Sequence, residues 1–96
     1  MPLAFEWDSR KAKSNHRKHG VSFAEACTVF DDDRATIFPD EDHSNGEERE
    51  IIVGFSILDR LLLVSFTERS MDRVRIISAR KATRKERKDY EENVGS

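Results

Sequence analysis

Eight Arg and Lys residues and one Glu fall within "RVRIISARKATRKERK", residues 73–88. Arginine presents a planar fork of donors that matches phosphate oxygens, and it stays charged at any accessible pH. Val74, Ile76 and Ile77 read as a buried strand, and Arg80 and Lys81 fall at its end. Arg84, Lys85, Arg87 and Lys88 open a polar helix. Cations at such a junction are held from both sides, which suits a phosphate that must be met with fixed geometry. The same charges could instead form a solvated surface paired with carboxylates elsewhere.

Breaking a phosphodiester without metal requires a general base, a general acid and cations for the charge on phosphorus. His16, His19 and His43 are the histidines, and Tyr90 is the one tyrosine. His19 and Lys18 end a helical stretch, where the dipole favours cations. His19 is therefore either a proton-transfer group or a helix-terminating residue. Tyr90 follows Glu86 by four positions and shares its helix face. It is either a proton-transfer group or the anchor of a polar helix.

Other chemistries are less well served. "DDD" (31–33) and "DEDH" (40–43) offer carboxylates and an imidazole, but neither matches an established metal loop. No metal and no cofactor is expected. Cys27 lies on an apolar helical stripe with Phe23, Ala26 and Phe30, and reads as a core residue. A lone cysteine forms no intramolecular disulfide, and no secretory leader or 18-residue apolar run is seen. A cytoplasmic protein with no membrane contact is the expectation.

These residues must be positioned by a chain of 96 residues, the size of one domain. Charge is segregated: the balance is +3 over residues 1–20, −9 over 21–68, +7 over 69–88 and −3 over 89–96. If the fold joins the two basic segments, an anion-binding surface results despite a net charge of −2. "FEW" (5–7) suits a strand. Asp8 or Ser9 can cap a helix that Gly20 ends. Ser22 and Glu25 form a capping box before a second helix. A short strand near 35–38 ends at Pro39. "REIIVGFSI" and "RLLLVSFTER" form a hairpin, with Leu62, Val64 and Phe66 on one face and Leu61, Leu63, Ser65, Thr67 and Arg69 on the other. "RVRIISAR" is the last strand, and Thr83 with Glu86 caps the final helix. In such a meander Arg69 lies near the start of the last strand, away from Arg80. The pattern predicts an α+β fold with a largely antiparallel sheet of four or five strands, two N-terminal helices and one C-terminal helix.

"KHGVSF", the loop containing "DEDHSNGEER", and "RIISARKAT" followed by "ERKDYE" occur in order over residues 5–92. Together they resemble the BrnT family of bacterial type II toxins. The resemblance implies that residues 1–96 form a single RelE-like domain with ribonuclease activity that needs no metal and inhibits translation. It implies a BrnA-like antitoxin that also binds operator DNA, with a dimer within the complex. The matching polar positions are Lys18, His19, His43, Glu48, Arg49, Arg69, Arg75, Arg80, Lys81, Glu86 and Tyr90. Arg69 and Arg80 are expected to carry phosphate and transition-state charge, and His19 or Tyr90 proton transfer. Lys18, Arg49, Arg75, Lys81 and Arg84 are expected to bind RNA. "SMD" after Arg69 departs from the Gly-rich turn expected there. A non-catalytic nucleic-acid-binding or protein-interaction module using the basic face is the competing reading.

Overall fold

Leu62, Val64 and Phe66 alternate with Leu61, Leu63 and Ser65, and this alternation sets the two faces of the sheet. A computed structural model describes residues 3–41 and 48–94. The elements run β1 (Ala4–Glu6), α1 (Ser9–His19), α2 (Phe23–Thr28) with a 3-10 turn over Val29–Asp31, β2 (Thr36–Pro39), β3 (Glu50–Phe55), β4 (Leu61–Ser70), β5 (Arg73–Lys81) and α3 (Arg84–Val94). One five-stranded sheet has the order β1-β5-β4-β3-β2. The α+β class is as the sequence predicts, but the sheet is mixed: β1 pairs with β5 in parallel, through Ala4–Glu6 against Arg73–Arg75. The other pairings are antiparallel.

Leu62, Val64 and Phe66 face the core with Ile52, Val74, Ile76 and Ala79, against Val21, Phe23, Ala26 and Val29. Cys27 packs partly against this cluster, and burial pushes its thiol up to about 11. Phe30 links the layers, with ring centroids 5.1 Å from Phe5 and 5.0 Å from Phe66. The opposite face carries Val53 and Leu63 beneath α3, with Thr36 and Phe38 beside them. Helices α1 and α2 therefore cover one face, while α3 covers part of the other.

Local chemistry explains where the helices begin and end. Asp8 caps α1 by accepting the Arg10 and Lys11 N–H groups at 2.8 and 3.3 Å. Gly20 closes it at φ 71°, a conformation that costs glycine no Cβ clash. Ser22 Oγ accepts the Glu25 N–H at 3.0 Å, but Glu25 does not complete the expected reciprocal box. Its carboxylate instead accepts from Ser56 Oγ at 2.6 Å and from the Arg60 guanidinium. A charge-assisted pair outcompetes a backbone N–H, and the Arg60 hydrogen bond holds the Glu25 carboxyl below its usual range. Arg60 also donates to Gly20 O at 3.0 Å, so this buried carboxylate ties the β3–β4 hairpin to both N-terminal helices. Gly54 lies under the 3-10 turn, where a Cβ would come within 2.9 Å of the Ala35 Cβ and Asp32 Oδ2.

Only the first part of β5 has a neighbour on its β1 side. Beyond Arg75 that edge is met by α1, whose one buried polar residue is Asn15. Asn15 Nδ2 donates to Ala79 O at 2.8 Å, and Oδ1 accepts the Ala79 N–H at 3.1 Å. Nδ2 also donates to Val21 O at 3.0 Å. Two bulges lie along the β4–β5 ladder: Ile77 is the extra residue on β5, and Arg69 the extra residue on β4.

Asn15→Leu removes all three hydrogen bonds and leaves the Ala79 amide groups buried without partners. Urea unfolding should show a loss of about 2–4 kcal/mol. A loss below about 1 kcal/mol would mean that these groups find other partners.

Candidate functional site

Cross-strand partners share a face, so the pairs Thr67–Arg75, Ser65–Ser78 and Leu63–Arg80 place Arg75, Ser78 and Arg80 in one row on the α3 side. Arg75 Nε is 3.3 Å from Glu6 Oε2, and an Arg73 guanidinium nitrogen is 3.7 Å from Glu6 Oε1. Arg80 grips Glu86 bidentately, at 2.7 and 2.8 Å, and donates to Lys81 O at 3.3 Å. Glu86 Oε1 also accepts the Thr83 N–H at 2.8 Å, and Thr83 Oγ1 accepts the Glu86 N–H at 3.1 Å. Thus the predicted capping box forms, and the same carboxylate fixes Arg80. The Arg80 hydrogen bonds hold the Glu86 carboxyl at about 2. Of the five guanidinium N–H groups, two point to no acceptor among the described residues, and the side chain is 42% exposed. Arg80 can therefore take an anion without releasing Glu86.

The remaining predicted residues scatter around this row. Arg69, which the simple alternation would place beside Thr67, sits in the β4 bulge. It lines a shallow cavity with Thr67 and three carboxylates, Glu48, Glu50 and Glu68. Six residues of β4 separate Arg69 from Leu63, the partner of Arg80, a span of about 20 Å. One phosphate cannot be held by both. Arg49 is half-buried just before β3, and its carbonyl accepts the Asp40 N–H at 2.9 Å. Lys81 is exposed at the end of β5, and Arg84 is exposed in the first turn of α3. His43 lies outside the described residues.

Tyr90 anchors α3 to the far side of the sheet. Its hydroxyl donates to Arg34 O at 3.2 Å, and its ring meets Phe55 edge-on at 5.9 Å. Burial, then the nearby Asp32 carboxylate, push its phenol up. With Glu86 and Asp89 it walls an apolar cavity of about 260 Å³ floored by Val53 and Leu63. His19 and Lys18 lie on the α1 side, lining a second cavity with Ile77 and Ser78. His19 and Tyr90 therefore approach β5 from different faces. His19 makes no side-chain hydrogen bond among the described residues, whereas Tyr90 commits its hydroxyl.

Two participants were not singled out in the sequence. Glu6 pairs with Arg75 only because β1 is parallel to β5, which no local pattern announces. Asn15 sits three positions after Ala12, on the stripe that faces β5. A lone amide on the apolar face of a helix signals a buried hydrogen-bonded role. Among the described residues no three His, Cys, Asp or Glu side chains are grouped to hold a metal ion. No helix there is long and apolar enough to cross a membrane.

Because the Glu86 carboxyl is depressed to about 2 from 4.5, its contribution to stability is present above about pH 4.5 and is lost as pH falls through about 2. Glu86→Gln should cost on the order of 1 kcal/mol at neutral pH, given the solvent screening of this pair. Denaturation at a series of pH values should then show less acid loss in the variant than in wild type across that window. Parallel curves would contradict the assignment.

Comparison with known proteins follows the same direction. The model of the family described as ribonuclease toxin, BrnT, of type II toxin–antitoxin systems matches residues 7–86. The crystal structure of the BrnT ribonuclease toxin of Brucella abortus shares the fold, with a TM-score of 0.67 and 24% identity. The match covers 85% of this chain and 99% of that one. No curated protein sequence matches. The ordered motifs, the α+β sheet with its β5 arginine row and the family match over most of the chain agree: this chain belongs to the BrnT family of type II ribonuclease toxins.

Proposed function

We propose that this chain cleaves RNA without a metal ion and thereby inhibits translation in the bacterial cytoplasm, until a BrnA-like antitoxin covers it. The observation that carries the reading is the row Arg75, Ser78 and Arg80 along one face of β5, with the Ser65 hydroxyl opposite Ser78. Such a row offers alternating charge and hydrogen bonds to a sugar–phosphate backbone. Helix α3 adds support: Arg84 and Lys85 occupy its first turn, where the dipole disfavours cations. Their placement makes sense where an external anion approaches.

In the proposed reaction the 2′-oxygen attacks phosphorus as the P–O5′ bond breaks, leaving a 2′,3′-cyclic phosphate and a 5′-hydroxyl. A base removes the 2′-hydroxyl proton and an acid returns one to O5′. Arg80, with donors to spare and its fork fixed by Glu86, stabilises charge on the phosphoryl oxygens. Arg75 holds a flanking phosphate, and Lys81, whose partner Leu62 faces the N-terminal helices, meets the RNA at the exposed end of β5. Of the two proton-transfer candidates, His19 makes no side-chain hydrogen bond among the described residues, but it lies on the α1 side and reaches the scissile phosphate only where RNA passes over the open edge of β5. Tyr90 would first have to leave Arg34 O. Arg69 and Arg49, away from this row, serve the RNA at its periphery. The antitoxin, with its DNA-binding half on the operator, would neutralise the toxin within a complex that contains a toxin dimer.

Induction in bacteria should arrest growth, and purified protein in EDTA should cleave RNA. Arg80→Ala should reduce the cleavage rate by about 10²–10³-fold, the scale for removing one transition-state donor. Arg80→Lys keeps the charge but loses the fork, and should recover only part of the rate. Unfolding of each variant checks that the fold survives. RNA left intact by wild type in EDTA, or full activity of a folded Arg80→Ala, would overturn the proposal.

A further inference from the structure

The arginines of β5 are bound to carboxylates: Arg73 and Arg75 share Glu6, and Arg80 holds Glu86. Helix α1 is different. It carries Arg10, Lys11, Lys13, Arg17 and Lys18, and no acidic residue, between Ser9 and His19. All five are exposed. Among the described residues, no carboxylate forms a salt bridge with any of them. Helix α3 intersperses its Arg and Lys with Glu86, Asp89, Glu91 and Glu92, so the run of positive charge with no acidic residue of its own is α1, on the side of the sheet away from α3.

This surface includes a built concavity of about 220 Å³ at the seam between α1 and β5, lined by Lys11, Ser14, Lys18, His19 and Ser78 among others. Two ammonium groups, two hydroxyls and an imidazole, with no carboxylate, are the donor set that phosphate oxygens take. The seam lies at the part of β5 that has no strand neighbour beyond Arg75. Ser78 also belongs to the row between Arg75 and Arg80, each only about 7–10 Å along the strand from it. The two positive surfaces thus meet at one residue.

We propose that a single RNA strand turns over the open edge of β5, with phosphates on the Arg75–Arg80 row on one side and phosphates in the Lys11–Lys18 pocket of α1 on the other. The inference rests on the ribonuclease reading and adds a second binding surface to it. An RNA strand fits better than an acidic peptide because its charge recurs at every nucleotide and can continue from one face to the next. The α1 pocket supplies affinity through counterion release, since its cations have no carboxylate to give up. The row supplies geometry, since its cations are already fixed.

The test uses wild type and Lys11→Gln/Lys18→Gln with a fluorescein-labelled, single-stranded RNA bearing 2′-O-methyl riboses, titrated at several salt concentrations. The variant should bind at least about tenfold more weakly at 0.1 M salt, with the salt slope reduced by about 1.4, or roughly 0.7 for each phosphate that is no longer neutralised. Both lysines are exposed, so circular dichroism and unfolding should be unchanged. Equal affinity and slope in the two proteins would overturn the inference while leaving the ribonuclease reading intact. A variant that binds RNA normally but binds the purified antitoxin more weakly would also overturn it and give the surface to the partner. If wild type neither binds nor cleaves RNA, the ribonuclease reading itself fails.

Discussion

The structure depends on the Asn15 amide lying against the backbone of Ala79. A strand edge buried without a partner is costly, and β1 is too short to cover β5 past Arg75. Asn15 takes the place of the missing strand by accepting from one Ala79 group and donating to the other. Its remaining donor holds Val21 O, so the turn between α1 and α2 is set by the same side chain. Ala79 immediately precedes Arg80. The backbone that presents the arginine fork on one face of the sheet is thus fixed from the other face. Few substitutions elsewhere would disturb the helix seam, the sheet edge and the arginine together.

A second principle is the division of cations into those paired with carboxylates and those that are not. Glu6 and Glu86 hold arginines of the β5 row in place, which lowers the entropic cost of using them but also neutralises part of their field. Arg80 keeps two donors outside its pair, so the clamp orients it without filling it. Helix α1 has the opposite character: its five cations are exposed, and none forms a salt bridge among the described residues. A net charge of −2 hides this, because the compensating carboxylates lie mostly in residues 21–68.

Much of the fold was legible because local rules coincide with the tertiary environment. The β4 alternation grouped Leu62, Val64 and Phe66 on one face, which is the core face, and Thr83 with Glu86 formed the expected box. The ordered motifs, not any single residue, carried the family. Non-local decisions were not legible. Glu25 abandoned its box because Arg60, 35 residues away, offers a stronger partner. The bulge at Arg69 interrupts the alternation that had grouped it with Thr67, and Arg69 lines a cavity with Thr67 and three carboxylates. The parallel pairing of β1 leaves no local signature, so Glu6 went unnoticed. The row on β5 was visible as an excess of charge and its distance from Arg69 followed from the meander, while its separation from His19 and Tyr90 was visible only in three dimensions.

The central claim is that RNA phosphate lies along the α3 side of β5, on Arg75 and Arg80. Arginine Nε–H resonances report this interaction one side chain at a time. Titrating ¹⁵N-labelled protein with a 2′-O-methyl RNA that cannot be cleaved should shift the Arg75 and Arg80 signals together and saturably. Shifts confined to Arg49 and Arg69, with Arg75 and Arg80 unmoved at saturation, would contradict the account.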